Sequence, residues 1–172
     1  MADKPKKPIL PTLTRLAADS LVETIDGPVE IVKLVGKVMP VLTRFADGRL
    51  GFRMMTQIRE LEPDAELLRL TNADGQRIRV GVDHVFVRAD GEEIRAGDLT
   101  EGDELDSGWT YPEGYELPDA EEYAEDIRGR PWKTPVVVRS IEPGERGPLY
   151  GFSVKETKSY FLTFGARSRA QE

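Results

Sequence analysis

The stretch from Leu67 to Leu105, LLRLTNADGQRIRVGVDHVFVRADGEEIRAGDLTEGDEL, decides the fold. It holds the Asp74-Gly75 and Asp90-Gly91 turns, a strand-like run between them, and the single histidine of the chain, His84. Ile78, Val80 and Val82 alternate with Arg77, Arg79 and Asp83, and Val85, Phe86 and Val87 continue as an apolar run. Two-residue alternation bounded by Asp-Gly predicts hairpins, because Gly accepts the positive φ that tight hairpin turns require. The unbroken apolar run predicts a strand buried on both faces. If Asp83 and His84 are consecutive in a strand, they point to opposite faces and form no catalytic pair within it.

Working outward, Ser20 to Ile31 reads as strand, Asp26-Gly27 turn and strand. Val35 to Thr43 reads as a further strand, with Pro40 placing it at an edge or a bulge because proline lacks a ladder donor. Arg44 to Arg53 is a hairpin about Asp47-Gly48, and Gln57–Leu61 and Glu66–Thr71 follow as separate strands. Asp98 and Asp103 stand in Gly-Asp turns, where short carboxylates bond nearby backbone amides. Strand character returns after residue 134, at Pro135–Ile141, Leu149–Val154 and Ser159–Phe164. No helical period persists beyond a turn in these segments, so the fold class is all-β.

Two segments differ. Residues 1–14 combine Lys4, Lys6 and Lys7 with three prolines, which favours an extended arm. Ile9, Leu10 and Leu13 are its apolar anchors for a partner. Residues 107–134 form an acidic, aromatic insertion carrying Trp109, Tyr111, Tyr115 and Trp132, with a short helix expected over Asp119–Arg128. These rings either dock a protein partner or fold back over the domain. The organisation is thus an arm at 1–14, a β domain at 15–168 and a C-terminal tail at 169–172.

The 172 residues carry a net charge of −7, with no cysteine and one histidine. Disulfides, thiolate metal sites and cysteine nucleophiles are excluded. No metal site or cofactor is expected, since one histidine would leave a zinc ion to carboxylates. Acidic charge gives no general affinity for nucleic acid, except through the basic arm, and none for anionic membranes. No apolar run reaches the ~18 residues of a membrane helix. The N-terminus lacks a signal-peptide core, so the expected location is the cytoplasm or a particle assembled there.

Three blocks resemble the Hint domain shared by inteins and the autoprocessing half of hedgehog proteins. Leu16-Ala-Ala-Asp-Ser-Leu-Val-Glu-Thr-Ile-Asp-Gly-Pro-Val-Glu-Ile resembles the opening intein block with its V-x-T-x-D-G. Val82-Asp-His-Val-Phe-Val87, continued by Ala96-Gly-Asp-Leu-Thr-Glu-Gly-Asp103, resembles the histidine block. Leu149-Tyr-Gly-Phe-Ser-Val, with Ser159-Tyr-Phe161 after it, resembles the closing block. The resemblance spans residues 15 to about 168 and implies a horseshoe-like β-sandwich of twisted antiparallel hairpins with one short helical or irregular insertion.

The family's chemistry, as the resemblance implies it, uses four groups. A Cys, Ser or Thr attacks the preceding carbonyl, a Thr-x-x-His protonates the departing amide nitrogen, and a closing His-Asn cuts the other end. On this chain the nucleophile position falls on Arg15, the threonine on Gly81, and the closing pair on Ser168-Arg169; His84 alone keeps its type. The leading reading is therefore a catalytically inactive subunit of a larger assembly, such as a phage or phage-like particle, in contact with other subunits or copies of itself. No small-molecule substrate is implied. The alternatives are residual N-terminal self-cleavage, with Thr14 or Ser20 as nucleophile and His84 as acid, and a soluble protein-binding module.

Overall fold

The computed structural model describes residues 13–107 and 135–171. Lys4, Lys6, Lys7, Ile9 and Leu10 of the arm lie outside these residues, as do Trp109, Tyr111, Tyr115, Trp132 and the helix expected over 119–128. In chain order the strands are β1 (Leu16–Ala17), β2 (Leu21–Thr24), β3 (Gly27–Glu30), β4 (Met39–Arg44), β5 (Leu50–Ala65), β6 (Leu67–Asn72) and β7 (Arg77–Gly81). They continue as β8 (Val85–Val87), β9 (Glu93–Arg95), β10 (Glu104–Leu105), β11 (Val136–Pro143), β12 (Gly147–Val154), β13 (Ser159–Phe161) and β14 (Arg167–Arg169).

These strands form a ten-stranded antiparallel sheet, ordered β10-β11-β6-β7-β1-β12-β5-β4-β2-β3, and a four-stranded one, β13-β14-β8-β9. The protein is all-β. The Asp-Gly turns join β2 to β3, β4 to β5, β6 to β7 and β8 to β9. Gly75 has φ +83°, a conformation that a Cβ penalises. Leu16, Val41, Met55, Leu70, Val80, Phe86, Phe152, Tyr160 and Leu162 fill one continuous core drawn from both sheets. Val85, Phe86 and Val87 are all buried, as an apolar run without alternation requires.

Several local expectations are corrected. Val82 is 40% exposed, because β7 ends at Gly81 and the chain turns at Val82-Asp83 instead of extending the alternation. Asp83 therefore is not a strand neighbour of His84; its carboxylate lies 4.0 Å from Arg95. The strand expected over 35–43 begins at Met39, preceded by a 3₁₀ turn at Ile31–Leu34. Pro40 is not on an edge strand: β4 lies between β5 and β2. It is tolerated because its side of the strand faces β2, where the ladder is confined to Thr24↔Val41. The Pro40 carbonyl accepts from Ile25 N on that side, so the missing donor faces the short ladder. The separate strand expected at Gln57–Leu61 is part of β5, one strand of 16 residues that passes through a positive φ of 56° at Gln57.

Both ends of the expected domain also move outward. Thr14 is fully buried, and the Leu13 carbonyl accepts from Val85 N at 2.9 Å, so these two residues belong to the domain rather than to an arm. At the other end Arg169 closes β14, and Ala170 and Gln171 are 0% and 3% exposed, so the residues read as a tail are packed.

Candidate functional site: the Thr14–Arg15 peptide

β1 is two residues long but is clasped on both sides, Leu16 opposite Val80 of β7 and opposite Tyr150 of β12. This threads the preceding Thr14–Arg15 peptide into the interior. The Arg15 carbonyl accepts from Gly81 N at 2.9 Å, and Arg15 N donates to His84 Nδ1 at 2.9 Å. The other ring nitrogen, Nε2, lies 2.9 Å from Ser168 Oγ on β14. His84 thus joins the two sheets: its backbone leaves the β7 turn, and its ring bridges β1 and β14. Phe86 packs edge-on against the imidazole, with ring centroids 4.7 Å apart.

These partners fix the tautomer. A nitrogen that accepts from a backbone N–H carries no proton of its own, so neutral His84 is protonated at Nε2 and donates to Ser168 Oγ. Burial, and then the nearby Arg15 charge, lower its pKa from 6.5 to about 3, so it is neutral at physiological pH. Tyr160 lies in the same interior beside Thr14 and Ser168, and burial pushes its hydroxyl well above the usual range for a phenol. The Tyr160 hydroxyl makes no well-directed hydrogen bond among the described residues.

The two candidate nucleophiles stand apart from the peptide that His84 grips. Thr14 Oγ1 donates to the Arg169 carbonyl. Its hydroxyl would have to attack the Leu13 carbonyl and release Thr14 N, whereas His84 holds the next nitrogen along, that of Arg15. Ser20 Oγ donates to the Arg79 carbonyl at 3.3 Å and lines a separate cleft of about 630 Å³ with Arg69, Arg77 and Phe164. Arg15 is 12% exposed and pairs with Glu62 at 2.6 Å. At Gly81 an added Cβ would meet Leu149 Cδ1 at 2.8 Å and Arg15 Cβ at 3.1 Å. Asp103 accepts from Thr100 N at 2.8 Å and from Arg88 at 3.2 Å, and so acts as a turn clasp.

Sequence reasoning gave no role to Ser168 as the His84 partner and passed over Gln171 altogether. Gln171 follows β14, donates its backbone N–H to the Phe152 carbonyl at 3.0 Å, and bridges Ser153. An added Cβ on Gly151 of β12 would overlap Gln171 Nε2 and come within 2.8 Å of the Thr14 carbonyl oxygen. The beginning and end of the domain therefore meet at one bare glycine. An amide-bearing side chain just past the last strand was the available signal.

Solved structures share this arrangement of elements. A mutant of the Ssp DnaB mini-intein variant M86 matches with a TM-score of 0.73 at 16% identity, over 92% of this chain and 99% of that one. The DnaB intein from Synechocystis sp. PCC 6803 matches with a TM-score of 0.67 at 15% identity, over 92% and 99%. A bacterial intein-like domain from Clostridium thermocellum matches with a TM-score of 0.67 at 20% identity, over 92% and 99%. This chain has the intein-like Hint fold. No family model and no curated protein matches the chain.

The Hint fold accounts for the deep seat of Thr14–Arg15, since β1 and the segment after β14 are brought side by side by their pairing with β12. Among the described residues of this Hint domain, no group of three or more His, Cys, Asp or Glu side chains is placed to hold a metal ion. No helix among them is long and apolar enough to cross a membrane.

Proposed function

We propose that this Hint domain is non-cleaving and serves as a structural or interaction subunit of a larger assembly. The observation that carries the reading is the hydrogen bond from Arg15 N to His84 Nδ1. It sets Arg15 where a Hint nucleophile acts, and arginine has no atom that can attack the Thr14 carbonyl. Neutral His84 presents a lone pair to the nitrogen that would leave, and with no acidic nucleophile at position 15 it receives no proton to pass on. Ser168 does not replace the nucleophile, because the Nε2 proton points at its oxygen and leaves His84 no base there.

The assembly half of the reading is supported by surface chemistry. Ile25, Val35 and Val38 are 57%, 42% and 61% exposed on neighbouring turns around β2 and β3. The sequence sets Lys4, Lys6 and Lys7 at one end against an acidic insertion in the middle. A phage or phage-like particle is the setting we propose. Intact-mass spectrometry on the purified chain over days tests the first half: the mass stays that of the full 172 residues. Loss of an N-terminal fragment that depends on His84 would overturn it. Light scattering tests the second half, with self-association or capture by particle components expected and a monomer indifferent to them contradicting it.

A further inference from the structure

Gln171 is 3% exposed, and its Nε2 is buried without a hydrogen-bond partner among the described residues. Leaving a buried amide donor unpaired is costly, so the arrangement calls for a physical reason. The donor lies over Gly151, whose missing Cβ leaves room for it beside the Thr14 carbonyl oxygen. That carbonyl belongs to the peptide whose N–H is held by His84. Oxyanion donors are aimed at where charge develops on the oxygen rather than at the resting carbonyl, and they gain their hydrogen bond as the carbon becomes tetrahedral. A donor unpaired at rest beside the carbonyl has this character.

We propose that Gln171 Nε2 is an oxyanion donor to the Thr14 carbonyl, so that His84 and Gln171 are placed to act on that carbonyl once position 15 carries a nucleophile. The proposal rests on the non-cleaving reading and extends it: the wild-type chain is silent at position 15, not because the site has dissolved. In an Arg15→Cys chain the thiol proton passes from the introduced sulfur to His84 Nδ1 as that sulfur adds to the Thr14 carbonyl carbon. Negative charge on the oxygen is met by Gln171 Nε2. The C–N bond between Thr14 and position 15 then breaks, and His84 Nδ1 returns the proton to the departing nitrogen. A thioester now links the Thr14 carbonyl carbon to the introduced sulfur. Added dithiothreitol attacks that thioester and releases residues 1–14 as its own thioester.

The experiment compares full-length Arg15→Cys with Arg15→Cys/Gln171→Met and Arg15→Cys/Gln171→Glu, incubated with dithiothreitol and followed by mass spectrometry. Circular dichroism and thermal unfolding confirm that each variant is folded. Met keeps the volume without the donor, and Glu keeps the shape with an acceptor in place of the donor. The expected result is thiol-dependent release of residues 1–14 from Arg15→Cys, slowed roughly 10²-fold by either change at Gln171. Equal rates in folded Gln171 variants overturn the donor role. An inert, folded Arg15→Cys chain overturns the ready site. Cleavage of the wild-type chain would instead overturn the non-cleaving reading, so the two failures are distinguishable.

Discussion

Arg15 and Gly81 are matched in size. The space that a threonine would take at position 81 is lined by Arg15 Cβ and Leu149 Cδ1, so a bulky residue at 15 and a bare one at 81 accommodate each other. Arg15 is a structural residue, its side chain 12% exposed and paired with Glu62. Glu62→Gln removes the carboxylate of an ion pair that is half-exposed on the Glu62 side and is expected to destabilise by about 1 kcal/mol, read from urea unfolding at neutral pH. His84 contributes a pH dependence of definite sign. Its folded pKa of about 3 lies below the unfolded 6.5, so only the unfolded chain takes up this proton between those values. Stability contributed by the neutral ring is complete above pH 6.5 and is lost as pH falls, by about 2 kcal/mol between pH 7 and pH 5. Urea unfolding at both pH values should show that loss in the wild type and not in His84→Gln; equal losses would contradict it.

At the scale of elements, hairpins were legible wherever Asp-Gly met alternation, since turn chemistry and period two are local properties. Elements set by distant partners were not. Val82 follows the alternation but falls on a turn, and β5 is a single strand because β4 and β12 flank it on its two sides. Asn72 is a second such case. Its Oδ1 accepts from Asp74 N at 3.0 Å and Gln76 N at 2.9 Å, closing the β6–β7 turn, while Nδ2 donates to the Phe164 carbonyl at 2.9 Å. One side chain, 1% exposed, ties the hairpin to the loop before β14. Asn72→Ala is expected to cost about 2–4 kcal/mol by leaving several buried groups unpaired, whereas Asp74→Ala, on the exposed side of the turn, stays within about 0.5 kcal/mol. Comparable chemical-denaturation midpoints for the two variants would contradict this ranking.

Across the whole molecule, the sequence carried the Hint architecture through the order of its three blocks, and His84 through its uniqueness. It did not carry Ser168 or Gln171, because their roles exist only once β12 and β14 bring both ends of the domain beside β1. The same closure places Thr14 and Gln171 inside the fold, so removing residues 1–15 takes away the buried Thr14 and the Arg15 clasp. Thermal unfolding should show a much lower midpoint for that truncation than for the full chain. At the centre of the silent site, His84 accepts a hydrogen bond from Arg15 and holds no proton to give it while position 15 lacks an acidic nucleophile. Nitrogen NMR of the imidazole in the intact chain reads this directly. The predicted result is a neutral ring, protonated at Nε2 and bare at Nδ1, unchanged from pH 8 to pH 5; a proton on Nδ1, or titration near the ordinary value of 6.5, would contradict it.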